Sequence, residues 1–281
     1  MSISASQVKE LRQRTGVGMA KCKNALVEAN GDIAVAIDLL RKQGMASAVK
    51  KESRETNEGT VSFKESASHI AIIKVNVETD FVVKNDTFQQ FVEFLLDEAL
   101  EKKPSSLESF LQCEVSGRKG TTIDQLRAEN IQSLGENIVV SSVEVMEKNP
   151  NSSYGLYRHT NGKIVSIVEL AGSTKVANEA RSIAMHAAAA DPQYLDPSDV
   201  PQSALDVEEK VVREQLKDKP DHLMDKIVPG RLKQFVEAVA LTEQYYVMDP
   251  KKQVKDIVST LAKEVGSALT VASFKRLQIG Q

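Results

Sequence analysis

The sequence predicts an α+β fold: an N-terminal three-helix bundle, a duplicated antiparallel-sheet core carrying helices, and an inserted helical arm. Three observations carry the prediction. The first 51 residues hold three capped, amphipathic stripes; "HIAIIKVNVE" alternates with the period of a strand; and a pattern of hairpin, helix, helix, strand recurs at fixed offsets.

Taken in order, "SASQVKELRQRTG" offers Ser4 or Ser6 as a helix N-cap, apolar Val8 and Leu11, and Gly16 beyond the end. "GMAKCKNALVEANG" places Met19, Cys22, Ala25 and Leu26 on one face and stops at Asn30-Gly31. "DIAVAIDLLRKQG" starts on Asp32, stripes Ile33, Ile37 and Leu40, and is expected to stop at Gly44. The charged run "KKESRETNEG" then reads as a linker. In "HIAIIKVNVE", Ile73, Val75 and Val77 alternate with Lys74, Asn76 and Glu78, which predicts antiparallel strands with one face under helices.

The repeat is imperfect but consistent. "FQQFVEFLLDEAL" (Phe88, Phe91, Val92, Leu95, Leu96) matches "ARSIAMHAAAA" (Ala180, Ile183, Ala184, Ala187, Ala188) at an offset of 92. "IDQLRAENIQSLGENIVVSSV" matches "VKDIVSTLAKEVGSALTVASF" at an offset of 131. The second half therefore holds extra residues, proline-bounded and charged, with amphipathic helices at 203–217 and near 221–227. These signals divide the chain into a helical domain (1–54), a first core subdomain (55–148), a second (149–189 with 229–281) and the arm (190–228).

Composition narrows the function. The net charge of −3 argues against a nucleic-acid partner. No apolar run reaches the roughly 18 residues of a membrane helix, and residues 1–16 lack the apolar stretch of a secretion signal. Cys22 and Cys113 lie far apart, outside any metal-binding or disulfide pattern. A cytoplasmic protein without cofactor, metal or membrane partner is expected.

Catalytic constellations are missing too. "TGVGM" has two glycines, but it lies between helices rather than after a strand, so a dinucleotide site fails its context. His69, His159, His186 and His222 are isolated, and the carboxylates lie on charged helix faces. The expectation is a binding protein, not an enzyme.

"ETDFVVKNDTF" raises the sharpest question. Asn85 or Asp86 can cap the helix that follows. Phe81 then has two readings: a staple packed on Phe88 or Phe91, or a prong presented to a partner, with Val82 and Val83 fixing its base.

"LRQRTGVGMAKCKNALVEANGDIAVAIDLLRKQG" followed by "ETDFVVKND" resembles bacterial translation elongation factor Ts. "IAMHAAAADPQYL" and "VPGRLKQFVEAVALTEQYYVMDPKKQVKDIV" extend the resemblance over essentially the whole chain. It implies a non-catalytic guanine nucleotide exchange factor for elongation factor Tu, bound to that protein's GTPase domain in the GDP-bound and nucleotide-free states. It implies that the helical domain is ubiquitin-associated-like and the arm a coiled coil. By the same resemblance, Thr79, Asp80, Phe81 and Val82 would disturb the partner's magnesium site. His186 would lie toward its phosphate-binding loop, and Val8, Leu11, Thr15, Gly16, Gly18 and Met19 would form the bundle's contact. The C-terminal helical extension of some members is not expected after "FKRLQIGQ", and the arm is short, which leaves homodimerisation through it open. The competing expectations are a peptide-binding adaptor built on the first 50 residues and an enzyme with a small-molecule cleft in the core.

Overall fold

A computed structural model describes residues 3–217 and 219–280, apart from the side chains of Asp221 and His222. The expectation for His222 thus lies outside the described residues. The chain forms two compact units. One runs to Lys148 and includes Thr160–Lys163 and the residues from Gln278 on; the other comprises Asn149–His159 and Ile164–Leu277.

The first unit opens with α1 (Ala5–Thr15), α2 (Met19–Glu28) and α3 (Ile33–Lys51). Strands β1 (Glu58–Glu65) and β2 (His69–Val77) form a hairpin, followed by α4 (Asp80–Val83), α5 (Asp86–Lys102), α6 (Leu107–Gln112), α7 (Ile123–Leu134) and β3 (Ile138–Glu147). Ser4 caps α1 in a reciprocal box with Gln7, and Gly16 ends it with φ at 67°. Asp32 caps α3 by accepting from the N–H groups of Ala34 and Val35. Val8, Leu11, Val17, Cys22, Ala25, Leu26, Ala36 and Leu40 make the core of this three-helix bundle.

Gly44 does not stop α3. The helix runs seven residues further, to Lys51, so the connection to β1 shrinks to residues 52–57. The physical reason is a helix crossing. Gly44 is buried, and a Cβ there would lie 3.1 Å from Gln132 Oε1 and 3.5 Å from the Ala128 carbonyl oxygen on α7. What reads as a stop signal lets two helices approach. Ala48 joins the second core of this unit, with Met45 packed against it. The Lys51 ammonium donates to the carbonyls of Ile131 and Gly135 (3.2 and 2.7 Å), capping the C-terminal end of α7.

β2 is the central strand of an antiparallel sheet in the order β1-β2-β3. Ala71, Ile73, Val75 and Val77 join Phe88, Phe91, Val92, Leu95 and Leu96 of α5 in one core. The opposite face is not solvated as the alternation predicts: Ile70, Ile72 and Asn76 are buried as well. The apolar run Ile70–Ile73 is continuous, which is the mark of a strand covered on both sides. Asn76 is satisfied by donating to the Thr56 carbonyl at 3.1 Å and accepting from Ser141 Oγ at 2.6 Å.

The second unit contains β4 (Ser152–Arg158), β5 (Ile164–Ala171), α8 (Ala177–Ala190), α9 (Gln202–Gln215), α10 (Asp221–Val239), β6 (Tyr245–Tyr246), β7 (Asp249–Gln253), α11 (Val254–Val265) and β8 (Thr270–Gln278). Its main sheet has the order β4-β5-β8, and β6 pairs with β7. The offset of 131 carries α7 onto α11 residue for residue, and β3 onto β8 within one residue. Where α5 packs phenylalanines and leucines, α8 packs alanines. Its layer is thinner, because a Cβ on Gly155 of β4 would fall 2.0 Å from the carbonyl carbon of Ala180.

Helix α10 does not end near residue 227. It continues through Pro229 to Val239, because the apolar spacing continues through Val228, Leu232, Phe235 and Val236. Among the described residues, no helix is long and apolar enough to cross a membrane.

Candidate functional site

Strand β2 ends at Val77, and one turn of helix, α4, presents the "TDFV" residues. Successive residues on a helix point about 100° apart, so Val82 and Phe81 take different faces. Val82 enters the core, 8% exposed, whereas Phe81 is 80% exposed. The staple reading fails: Phe88 and Phe91 are core residues, and the inward position of the turn is already filled by Val82.

The base of this turn is braced on both sides. Thr79 donates its N–H to Glu136 Oε2 at 3.0 Å and its hydroxyl to Glu136 Oε1 at 2.6 Å. In the opposite sense, Asn137 donates its N–H to Glu78 Oε1 at 2.6 Å. Asp80 pairs with Lys84 at 2.7 Å, and that hydrogen-bonded ammonium holds the carboxyl below its ordinary value. Asn85 accepts from the Thr87 N–H and so caps α5.

The predicted bundle contact divides into interior and surface. Val8 and Leu11 are buried in the three-helix core, so they hold the bundle together and present no open surface. Thr15 donates its hydroxyl back to the Leu11 carbonyl within α1 at 2.7 Å and accepts the Val17 N–H in the α1–α2 turn at 3.4 Å. Gly16 receives a hydrogen bond from Ser133 Oγ at 2.9 Å, which ties that turn to α7. Gly18 precedes α2 as its N-cap, and Met19 is exposed. Exposed Val27, Val35 and Val49 extend the apolar surface of this bundle, a feature the core stripe in the sequence did not reveal.

His186 belongs to the second unit and has no exposed atom there. Its Nδ1 accepts the Val247 N–H at 3.2 Å, so the ring proton resides on Nε2, 3.0 Å from Gln244 Oε1. The Gln244 amide nitrogen already donates to the carbonyls of Ala238 and Ala190, which fixes its oxygen toward the histidine. Tyr246 lies 5.7 Å away, ring to ring. Burial holds His186 below the ordinary histidine value, partly offset by Gln244. With both nitrogens engaged, the ring in this state offers nothing outward. What it supports is an apolar tip: Tyr245, Val247 and Met248 are all about half exposed at the β6–β7 hairpin. The sequence signal was present in "QYYVMDP", where large apolar residues run directly into a turn.

Each unit therefore presents exposed apolar groups on a braced turn of its own. A family model described as elongation factor TS matches residues 78–281. Elongation factor Ts of Protochlamydia amoebophila (strain UWE25) is 45% identical over 280 residues, covering 100% of this chain and 99% of that protein. Elongation factor Ts of Chlamydia muridarum (strain MoPn / Nigg) is 42% identical over 277 residues, covering 99% and 98%, and that of Chlamydia felis (strain Fe/C-56) is 40% identical over 279, covering 99% of each. Matches that run end to end, through the "TDFV" turn and the histidine helix alike, make this chain a member of the elongation factor Ts family.

Proposed function

We propose that this protein is a guanine nucleotide exchange factor that binds elongation factor Tu in its GDP-bound and nucleotide-free forms and promotes GDP release during translation elongation. Family membership supports the role, and the observation that carries the mechanism is the exposed Phe81 on a turn whose neighbour Val82 is anchored in the core. Phe81 and Asp80 enter the partner near its magnesium site, and the second unit works at the phosphate-binding side through the 245–248 tip that His186 holds. The three-helix unit serves as a ubiquitin-associated-like partner domain, and α9 with α10 forms the coiled-coil arm.

Exchange of this kind makes and breaks no covalent bond. A factor that binds the nucleotide-free state better weakens nucleotide binding by the same ratio. A thousandfold effect requires about 4 kcal/mol of differential binding. Burial of one phenylalanine supplies about 1.5–3 kcal/mol, so Phe81 is a major contributor and the 245–248 tip and the bundle surface supply the rest.

Release of fluorescent GDP from elongation factor Tu, with magnesium present, tests this directly. Catalytic amounts of this protein should accelerate release strongly. Absence of acceleration, with residues 1–54 alone binding a peptide as well as the full chain does, would favour the adaptor instead. The adaptor reading already has to contend with α3, whose last two turns pack into the core beyond the bundle.

A further inference from the structure

We infer that Glu136 is a positioning residue for exchange, a latch that fixes the Phe81 turn before the partner arrives; this rests on the prong reading above. The β2–β3 ladder ends at the pair Val77–Ile138. Beyond it the segments flanking the two strands continue to hold each other through side chains. The Glu136 carboxylate takes both donors of Thr79, and the Glu78 carboxylate takes the N–H of Asn137. The result is a crossed clamp, in which each strand lends a carboxylate to the backbone of the other.

Both ends of the clamp are themselves anchored. Glu136 follows Gly135, whose φ of 86° ends α7 and whose carbonyl accepts from Lys51 at 2.7 Å. Asn137 is 1% exposed and donates its amide to the Arg54 carbonyl at 3.2 Å. Thr79 is the N-cap of α4, yet its hydroxyl makes no capping bond to that helix and is turned to Glu136 instead. The hydrogen bonds to an ionised carboxylate are the stronger kind. They act two residues before Phe81, at the only covalent approach to the turn from β2. A side chain that is 80% exposed has few contacts of its own to fix its direction, so its backbone must do so. Ordering in advance lowers the entropy lost on binding.

The chain contains no tryptophan, so Phe81→Trp creates a single reporter at the prong. Time-resolved anisotropy of that reporter should show little fast depolarisation in the otherwise unchanged protein and a much larger fast component with Glu136→Ala. In the GDP-release assay, Glu136→Ala should lower kcat/KM about tenfold, with Glu136→Gln, which keeps one acceptor, between it and the parent. Glu136→Ala combined with Phe81→Ala should be no worse than Phe81→Ala alone, because the latch acts through Phe81. Near-ultraviolet circular dichroism of the Glu136→Ala and Glu136→Gln variants should match that of the parent carrying the same residue at position 81. An unchanged anisotropy decay, or losses that multiply, would overturn the latch. Phe81→Ala exchanging like the parent would instead overturn the prong reading and with it the latch's part in exchange, while the anisotropy still reports whether Glu136 orders the turn.

Discussion

Val247 donates its backbone N–H to Nδ1 of His186 across 3.2 Å, and the imidazole is wholly withdrawn from solvent. In the proposed mechanism the histidine acts on the partner through the hairpin tip it holds. His186→Ala should lower exchange about tenfold, and most of that loss should be shared with substitutions at Val247 and Met248. A double-mutant comparison of His186→Ala and Met248→Asp in the GDP-release assay checks this; independent losses would place the ring itself at the partner.

The same burial makes stability depend on pH. Folding keeps the His186 ring neutral and lowers its affinity for a proton, so below the ordinary histidine value of about 6.5 the unfolded chain binds more protons than the folded one. The stabilisation is complete above that pH and is lost as pH falls toward the depressed folded value. Thermal midpoints measured between about pH 5 and 8 should fall more steeply below pH 6.5 in the parent than in His186→Gln. Parallel curves would contradict this.

Tyr245, Val247 and Met248 are about half exposed, and the side-chain tie to the core, the Tyr246 hydroxyl donating to Met248 Sδ at 3.3 Å, can be replaced by a carboxylate acceptor, so charge can be placed there at little cost. Val247→Asp with Met248→Asp should weaken binding to elongation factor Tu by tenfold or more while changing stability by less than about 1 kcal/mol. Calorimetric titration and chemical denaturation provide the two readouts.

Two glycines should behave oppositely. A Cβ at Gly155 would collide with backbone of α8 at 2.0 Å, so Gly155→Ala should cost about 3 kcal/mol or more. At Gly44 the nearest atom, 3.1 Å away, is the end of the Gln132 side chain, which can shift. Against that, alanine gains about 1 kcal/mol of helix propensity over glycine, so Gly44→Ala should stay within about 1 kcal/mol of the parent. Urea unfolding of both variants decides the point.

These glycines also mark what was legible in the sequence. Caps are local, so Asp32 could be read directly and Ser4 and Asn85 to within a choice of two residues each. The repeat was legible because α7 and α11 solve one packing problem with one spacing. Gly44 misled because a stop signal and a close helix crossing require the same missing side chain, and only the position of α7 distinguishes them. Phe81 was ambiguous for a related reason: whether an aromatic beside a turn packs inward depends on which neighbour fills the core, and Val82 does. Glu136 went unnoticed because its partner Thr79 is 57 residues away, and no local pattern links a carboxylate after one helix to a threonine after a distant strand.

Phe81→Ala in the GDP-release assay tests the mechanism most directly. Phe81 is 80% exposed, so its removal should leave the thermal midpoint within a degree or two, while release of GDP from elongation factor Tu falls about tenfold or more. A variant that folds, binds and accelerates release like the parent would contradict the central claim and take Phe81 out of the exchange mechanism.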